Sequence, residues 1–413
     1  LVRIECIAVG SELLRTRRLD TNSVWLGERL GELGLELQRK TAVGDSRSDL
    51  AGLFREALVR SELIICTGGL GPTFDDFTKD VWAEVLGVPM REDAQARAEI
   101  LAFYAARNRV PPATNFQQAL IPEGAQALYN PAGTAPGVYW ADPPGYPGRR
   151  IVLFPGVPRE MQLMWRDQVA PRLAGLGGPG RHTLRMVFGS VAESALDEQT
   201  RPLRQRHSQL EWTILAGLAH VEILASGADP AALAAALADF RTEMGADLAF
   251  VGPEGGIEDA VLAGLAARGE TLAVAESMTG GVLAARLTAI PGASASFLGG
   301  ATVYSATAKA VLAGLDPAFI AAHGTVSEPV TRALAAGIRQ ALGATWGLAV
   351  TGNAGPSEDP LGPAPVGTCL TALAGPDGIE AITQLIPGGR VEVQARAASR
   401  ALDLLRRRLD QRG

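Results

Sequence analysis

Short apolar runs alternate with amphipathic stretches along most of the chain. RIECIAVG (Arg3 to Gly10) is a strand-like run ending in glycine, and apolar spacing predicts a helix over Asn22 to Leu33. The pattern repeats through LELQRKTAVGD, a helical stretch to Arg60, and ELIICTGGLG, where Ile64 to Thr67 reads as a buried strand running into glycines. Strands alternating with helices imply a doubly wound α/β sheet. A polar helix over Glu92 to Arg107, the turn-rich NPAGTAPG, the strand RRIVLFPG and a helix from Pro158 complete a first domain, 1–172, followed by a glycine-rich linker at Gly175 to Gly180. A small α+β module, 181–252, follows: TLRMVFG, a helix over Glu193 to Arg206, LEWTIL, HVEIL, a helix after Asp229, and DLAFVG. A second α/β domain, 254–413, runs through TLAVAES, LGGATVYS, a helix over Val330 to Ala341, WGLAVTG, two more strands and an amphipathic terminal helix.

Length fits this division, since 413 residues exceed one ordinary core. Hydrophobic residues are 47% and charged residues 20%, a globular balance, and the net charge of −6 argues against direct nucleic-acid binding. No apolar run approaches membrane-spanning length, so no membrane association is expected. Cys6, Cys66 and Cys369 sit in apolar runs without metal spacing and read as reduced core residues of a cytoplasmic protein. Of the 38 basic residues only Lys40, Lys79 and Lys309 are lysines. Base composition explains the bias, yet a lysine in such a background invites attention. His182, His207, His220 and His323 are scattered without metal-ligand spacing, and His323 reads as a turn residue.

Two places carry chemistry. In ICTGGLGPTFDDFTKD a buried strand delivers Gly68, Gly69 and Gly71, then Asp75 and Asp76 at a helix start. Glycines let amides approach an anion, and a helix N-terminus favours one. Acidic residues there are also ordinary caps. However, Glu12 in GSELL, Asp20 in LDTN and Glu160 in PGVPREM likewise follow strand ends, which in an open sheet converge on one crevice. Carboxylates beside a phosphate loop suit Mg²⁺ or another divalent cation. Thr67 and the glycines, with Asn22 and Gly156, are the candidate substrate contacts at this site.

The second place is TLAVAESMTGG, with Ser277 just beyond a strand and Thr279, Gly280 and Gly281 opening a helix whose amides suit an oxyanion or phosphate. In LGGATVYSATAK, Tyr304 ends a strand and Lys309 lies one helical turn on, able to point back. A lysine base needs its pKa lowered from about 10.4 toward neutrality, roughly 4 kcal/mol over three pH units, which burial can supply and arginine cannot match. Ser305 is the rival nucleophile, without the glycine helix start.

GSELL, LDTN, TGGLGPTFDDFTKD, GTAPG and PGVPREM, in that order, resemble the N-terminal domain of the CinA family of competence/damage-inducible proteins. AESMTGG, VYSATAK, HGTVSEPV, VTGNAGP and PVGT resemble that family's C-terminal domain, which is similar to nicotinamide mononucleotide deamidases. The resemblance implies a molybdopterin-binding-like domain hydrolysing ADP-ribose with a metal, a KH-type connector, and a serine amidase converting nicotinamide mononucleotide to nicotinic acid mononucleotide and ammonia. It also implies a homodimer. Carried onto this chain, Ser277 is the nucleophile, Lys309 the base and Tyr304 a relay or oxyanion partner, while Thr351, Gly352 and Arg390 face the nucleotide. Two departures fall here: Asn353 stands where the family has a hydrophobic residue, and Gly389 where it has an acidic one. The alternatives are a nucleotide- or molybdopterin-binding protein without turnover, and an interaction protein for DNA uptake or repair.

Overall fold

The computed structural model describes residues 2–178, 180–357 and 364–412. The chain divides into two compact units, Leu1–His182 and Thr183–Gly413. In the first, six strands form one sheet in the order Leu37–Val43, Ile4–Val9, Leu63–Thr67, Arg150–Phe154, Gly137–Ala141 and Gln126–Leu128. The first four are parallel and the last two pair antiparallel. Ile4–Val9 and Leu63–Thr67 are buried at every position because helices cover both faces, which is why they read as continuous apolar runs. Ile64 and Cys66 pack with Leu50, Phe54 and Trp82, whereas Leu63 and Ile65 pack on the other face with Leu26, Leu30 and Met161.

One charge interrupts the apolar centre. Glu5, fully buried, accepts from Arg60 Nε at 2.8 Å and Nη2 at 2.6 Å, and from Ser61 and Thr41 hydroxyls. Such a two-pronged pair offsets the desolvation of both ions. The cysteine thiols are buried, and burial pushes Cys6 up to about 12 and Cys369 up to about 11, as inert core thiols require.

The antiparallel strands Gln126–Leu128 and Gly137–Ala141 flank the stretch that reads in sequence as a turn. They are short, and their partner lies next to them in the sheet rather than across a helix. The chain steps from Ile4–Val9 to Leu37–Val43 on one side and then to Leu63–Thr67 on the other, so a crevice opens at the carboxyl ends, beside Gly10 and Gly68. The segment at 175–180 is anchored at both ends, with Gly178 N donating to Gly34 O at 3.2 Å and Arg181 N to Gly31 O at 2.9 Å; Pro179 lies outside the described residues.

The second unit holds two sheets. One has four strands in the order Glu211–Ala216, His220–Gly227, His182–Gly189 and Leu248–Val251, with helices Glu193–Arg206 and Pro230–Met244, giving the chain order β-α-β-β-α-β. The other has five, Phe297–Thr302, Leu272–Glu276, Trp346–Gly352, Thr368–Gly375 and Gly378–Leu385, parallel across the first three and antiparallel across the last two. One face carries Val274, Leu348 and Val350 against helices Ile257–Arg268, Val282–Thr288 and Arg390–Asp410. The opposite face is Ala273, Ala275, Ala349 and Ala372, small enough to admit Val330, Leu334 and Ile338 of helix Glu328–Leu342. The sheets are tied through buried Arg406, which pairs with Asp403 at 2.8 Å and donates to Ala246 O at 2.7 Å.

Two histidines do have acidic partners: His207 contacts Asp239 at 3.0 Å and His220 contacts Glu222 at 2.9 Å. Both lie in the small module, and Glu222 is already held by Arg185 at 2.6 and 2.9 Å. His323 ends helix Pro317–His323 rather than occupying a turn. Among the described residues no helix is long and apolar enough to cross a membrane.

Candidate functional site

The crevice of the first unit is a cavity of about 530 Å³ lined by Glu12, Asp20, Asn22, Thr67, Gly68, Gly69, Gly71, Asp75, Asp76, Gly156 and Glu160. All the residues singled out at this end therefore share one space. Gly69 is left-handed at φ 67°, and a side chain there would strike Thr78 Oγ1. Gly68 differs from expectation, since its amide is taken by Phe154 O at 2.9 Å. Asp75 and Asp76 do not cap the helix, which starts at Thr78 behind Phe77. Instead Asp76 accepts from Thr73 N at 3.0 Å and, with Asp75, from the Thr73 hydroxyl, so the loop folds around its own carboxylates. Asp20 does cap helix Thr21–Glu32, accepting from Ser23 N at 3.0 Å.

Burial raises the Glu160 carboxyl above its usual range, while Asn130 Nδ2, donating at 2.7 Å, pulls the other way. Asn130 also accepts from the amides of Ala132 and Gly133, so the turn of NPAGTAPG delivers the partner of Glu160. Asp45 joins the cavity wall, bonded to Ser11 N at 2.7 Å. Sequence reasoning passed over Asn130 and Asp45, although Asp45 also follows a strand end. Among the described residues no three His, Cys, Asp or Glu side chains converge as a metal cage. The donor set nevertheless suits a hard cation: it is all oxygen, and Mg²⁺ is commonly held by only one or two carboxylates with phosphates and water. Asn22 supplies a further observation, since Nδ2 donates to Gly156 O at 3.0 Å while buried Oδ1 has no partner.

At the second unit the sheet order also reverses, between Leu272–Glu276 and Trp346–Gly352, and their carboxyl ends open on a cavity of about 410 Å³. Ser277, Tyr304, Lys309, Gly352, Asn353 and Arg390 line it. Ser277 is 6% exposed and Lys309 1%. Lys309 Nζ lies 3.1 Å from Ser277 Oγ and donates to Val303 O at 2.8 Å. Ser305 caps the helix that carries Lys309, its hydroxyl accepting from Ala308 N at 3.0 Å. Tyr304 is 61% exposed at the mouth, and its hydroxyl accepts from Arg390 Nη2 at 3.0 Å.

The helix start after Ser277 does not offer its amides to a ligand as the glycines suggest. Buried Glu276 takes them, accepting from Gly281 N at 3.0 Å, Leu283 N at 3.0 Å and Ala284 N at 2.8 Å. An anion favoured at this helix end is thus supplied by the protein itself. Thr279 and Thr351 are turned into the interior, Thr351 sharing a hydrogen bond of 2.7 Å with Thr331. Neither they nor Gly280 and Gly281 line the cavity. At the other departure, Gly389 N donates to Glu392 Oε2 at 2.8 Å, so the acid at this helix start comes from three residues on.

Two modules with a crevice each define a two-part α/β protein. Residues 5–175 match the family profile described as a probable molybdopterin binding domain, and 255–409 match the CinA C-terminal domain. A CinA-like protein of Acidobacterium capsulatum is 40% identical over 98% of this chain and 99% of its own length. One of Frankia casuarinae is 39% identical over 99% and 96%. Among solved structures, a CinA protein of Thermoplasma acidophilum shares 34% identity over 40% of this chain and 94% of its own, with a TM-score of 0.36. The chain belongs to the CinA-like protein family.

Proposed function

We propose that the second unit is a serine amidase acting on nicotinamide mononucleotide. The observation that carries this reading is the buried Lys309 amine 3.1 Å from the Ser277 hydroxyl, at the carboxyl ends of strands where α/β proteins bind ligands. Burial disfavours an ammonium, and the neutral amine is the form that accepts a proton. Ser277 Oγ attacks the amide carbon and its proton passes to Lys309 Nζ. The tetrahedral oxyanion collapses, the proton moves to the leaving nitrogen, and ammonia departs from an ester on Ser277. Water, deprotonated by Lys309, then releases nicotinic acid mononucleotide and restores the serine. Tyr304 and Arg390 stand at the mouth, where they serve the nucleotide rather than the reacting carbonyl.

The first unit, in the same reading, hydrolyses ADP-ribose to AMP and ribose 5-phosphate. Gly69 and Gly71 line the cavity beside a helix N-terminus and receive phosphate oxygens. A divalent cation would be held by one or two of the carboxylates of Glu12, Asp20, Asp75 and Asp76 together with phosphate oxygens and water, and would supply charge neutralisation at the pyrophosphate. Glu160, in its carboxylate form, takes the proton of the attacking water, and the burial that raises its proton affinity makes it a stronger base. In a second reading this end binds a nucleotide without turnover, the unpartnered Asn22 Oδ1 at the cavity wall being offered to that ligand.

Ammonia release from nicotinamide mononucleotide tests the first proposal. Wild type releases it, Ser277→Ala does not, and a silent wild type ends the amidase reading. Phosphorus NMR of ADP-ribose with Mg²⁺ and with chelator tests the second: cleavage surviving complete metal removal refutes it, and binding without cleavage selects the alternative. We place the protein as a cytoplasmic homodimer recycling pyridine nucleotides.

A further inference from the structure

Resting on the amidase reading, we infer that Asn353 is a positioning residue that makes the second site selective for phosphorylated nucleosides, acting through Gly355, Arg390 and Tyr304. Asn353 directly follows strand Trp346–Gly352 at the cavity wall. Its backbone is pinned to the neighbouring segment, the amide donating to Thr368 O at 2.9 Å and the carbonyl accepting from Gly367 N at 2.7 Å. Its side chain then spans the adjoining loop. Nδ2 donates to Ser357 O at 3.0 Å and Ala364 O at 3.1 Å, and Oδ1 accepts from Gly355 N at 2.9 Å.

Two carbonyls on one side and one N–H on the other fix the orientation of the carboxamide. A carboxylate would face two carbonyl oxygens, and an apolar residue would leave three backbone groups without this partner. Both side-chain polar atoms of Asn353 are engaged with the backbone. Its effect passes along the chain.

The segment so held presents Gly355 O, which accepts from Arg390 Nη1 at 2.6 Å, while Arg390 Nη2 reaches Tyr304 Oη. The guanidinium is thereby held at the cavity mouth. Among the described residues no carboxylate pairs with Arg390, and two bonds leave part of its five-donor fork for an oxyanion. A phosphomonoester carried on a ribose meets this fork while the amide end reaches Ser277. A nucleoside without phosphate has nothing to offer it.

The test compares nicotinamide mononucleotide with nicotinamide riboside, using wild type, Asn353→Leu, Arg390→Met and the double variant, by ammonia release and by calorimetric binding. Asn353→Leu is expected to raise KM and Kd for the mononucleotide about tenfold, with kcat within twofold and the riboside unaffected, because the lost contact lies away from the reacting carbonyl. In the Arg390→Met background the same change adds nothing. A single cooperative melting transition, retained by each variant, separates this from misfolding. Equal weakening toward both ligands, a loss confined to kcat, or additive effects in the double variant overturns the inference. Phosphate-selective binding without any ammonia release overturns the amidase reading and leaves the role of Asn353 standing.

Discussion

Lys79 offers a prediction whose size follows from the structure. It lies in helix Thr78–Leu86, 6% exposed, with Nζ donating to Gln118 O at 2.6 Å. Burial lowers its pKa from 10.5 to about 8, against the weaker pull of Asp80 and Asp76. Below pH 8 both folded and unfolded chains hold the proton. Between 8 and 10.5 the unfolded chain keeps it while the folded chain releases it, so stability rises with pH across that window. At about 1.4 kcal/mol per pH unit the complete effect is on the order of 3 kcal/mol, of which ~1.4 kcal/mol develops between pH 7 and pH 9. Lys79→Met has no such titration. The comparison is the urea unfolding free energy of wild type and Lys79→Met at pH 7 and pH 9, where background titrations cancel in the difference. Wild type is expected to gain ~1.4 kcal/mol on the variant over that interval. Parallel pH profiles, or a gain by the variant, refute the desolvation argument.

Other outcomes are as concrete. Arg60→Ala leaves the buried Glu5 carboxylate without its two-pronged partner and should destabilise the first unit by about 3–5 kcal/mol, read from urea midpoints. Lys309→Arg keeps the charge but cannot yield a neutral base, so ammonia release should fall at least about a hundredfold while mononucleotide binding persists. Glu276→Gln keeps the shape yet loses the charge held by three amides; a stability loss of roughly 1–3 kcal/mol is expected, with slower turnover because Ser277 is the next residue. Asn130→Ala removes the hydrogen bond that lowers the Glu160 proton affinity, so the acidic limb of any ADP-ribose pH profile should move to higher pH.

The buried parallel strands were legible because coverage on both faces demands continuous apolar runs, as in Ile4–Val9 and Leu63–Thr67. The same logic placed acids after strand ends, and Glu12, Asp20, Asp75, Asp76 and Glu160 do line one cavity. Side-chain direction beyond a strand end was not legible. Thr279 and Thr351 carry the right chemistry for a ligand but turn inward, and nothing local records that. Glu276 went unnoticed because it alternates to the opposite face from Ala275 and its partners are amides five to eight residues on. Lys79 was as rare as Lys309, yet its burial depends on Gln118, 39 residues away. Gln126–Leu128 is three residues long, too short for periodicity to register.

The Glu276 cap has a consequence for how each half answers to ionic strength. With that helix end satisfied internally, the proposed anion of the second crevice would be held through the Arg390 side chain at a solvent-exposed mouth, where added electrolyte weakens attraction. In the first, the Gly69 and Gly71 backbone in the cavity wall would act through short-range hydrogen bonds rather than through a mobile side-chain charge, and such bonds are less sensitive to electrolyte. Raising potassium chloride should therefore desensitise the serine half to its ligand well before the glycine half, giving one polypeptide two salt tolerances.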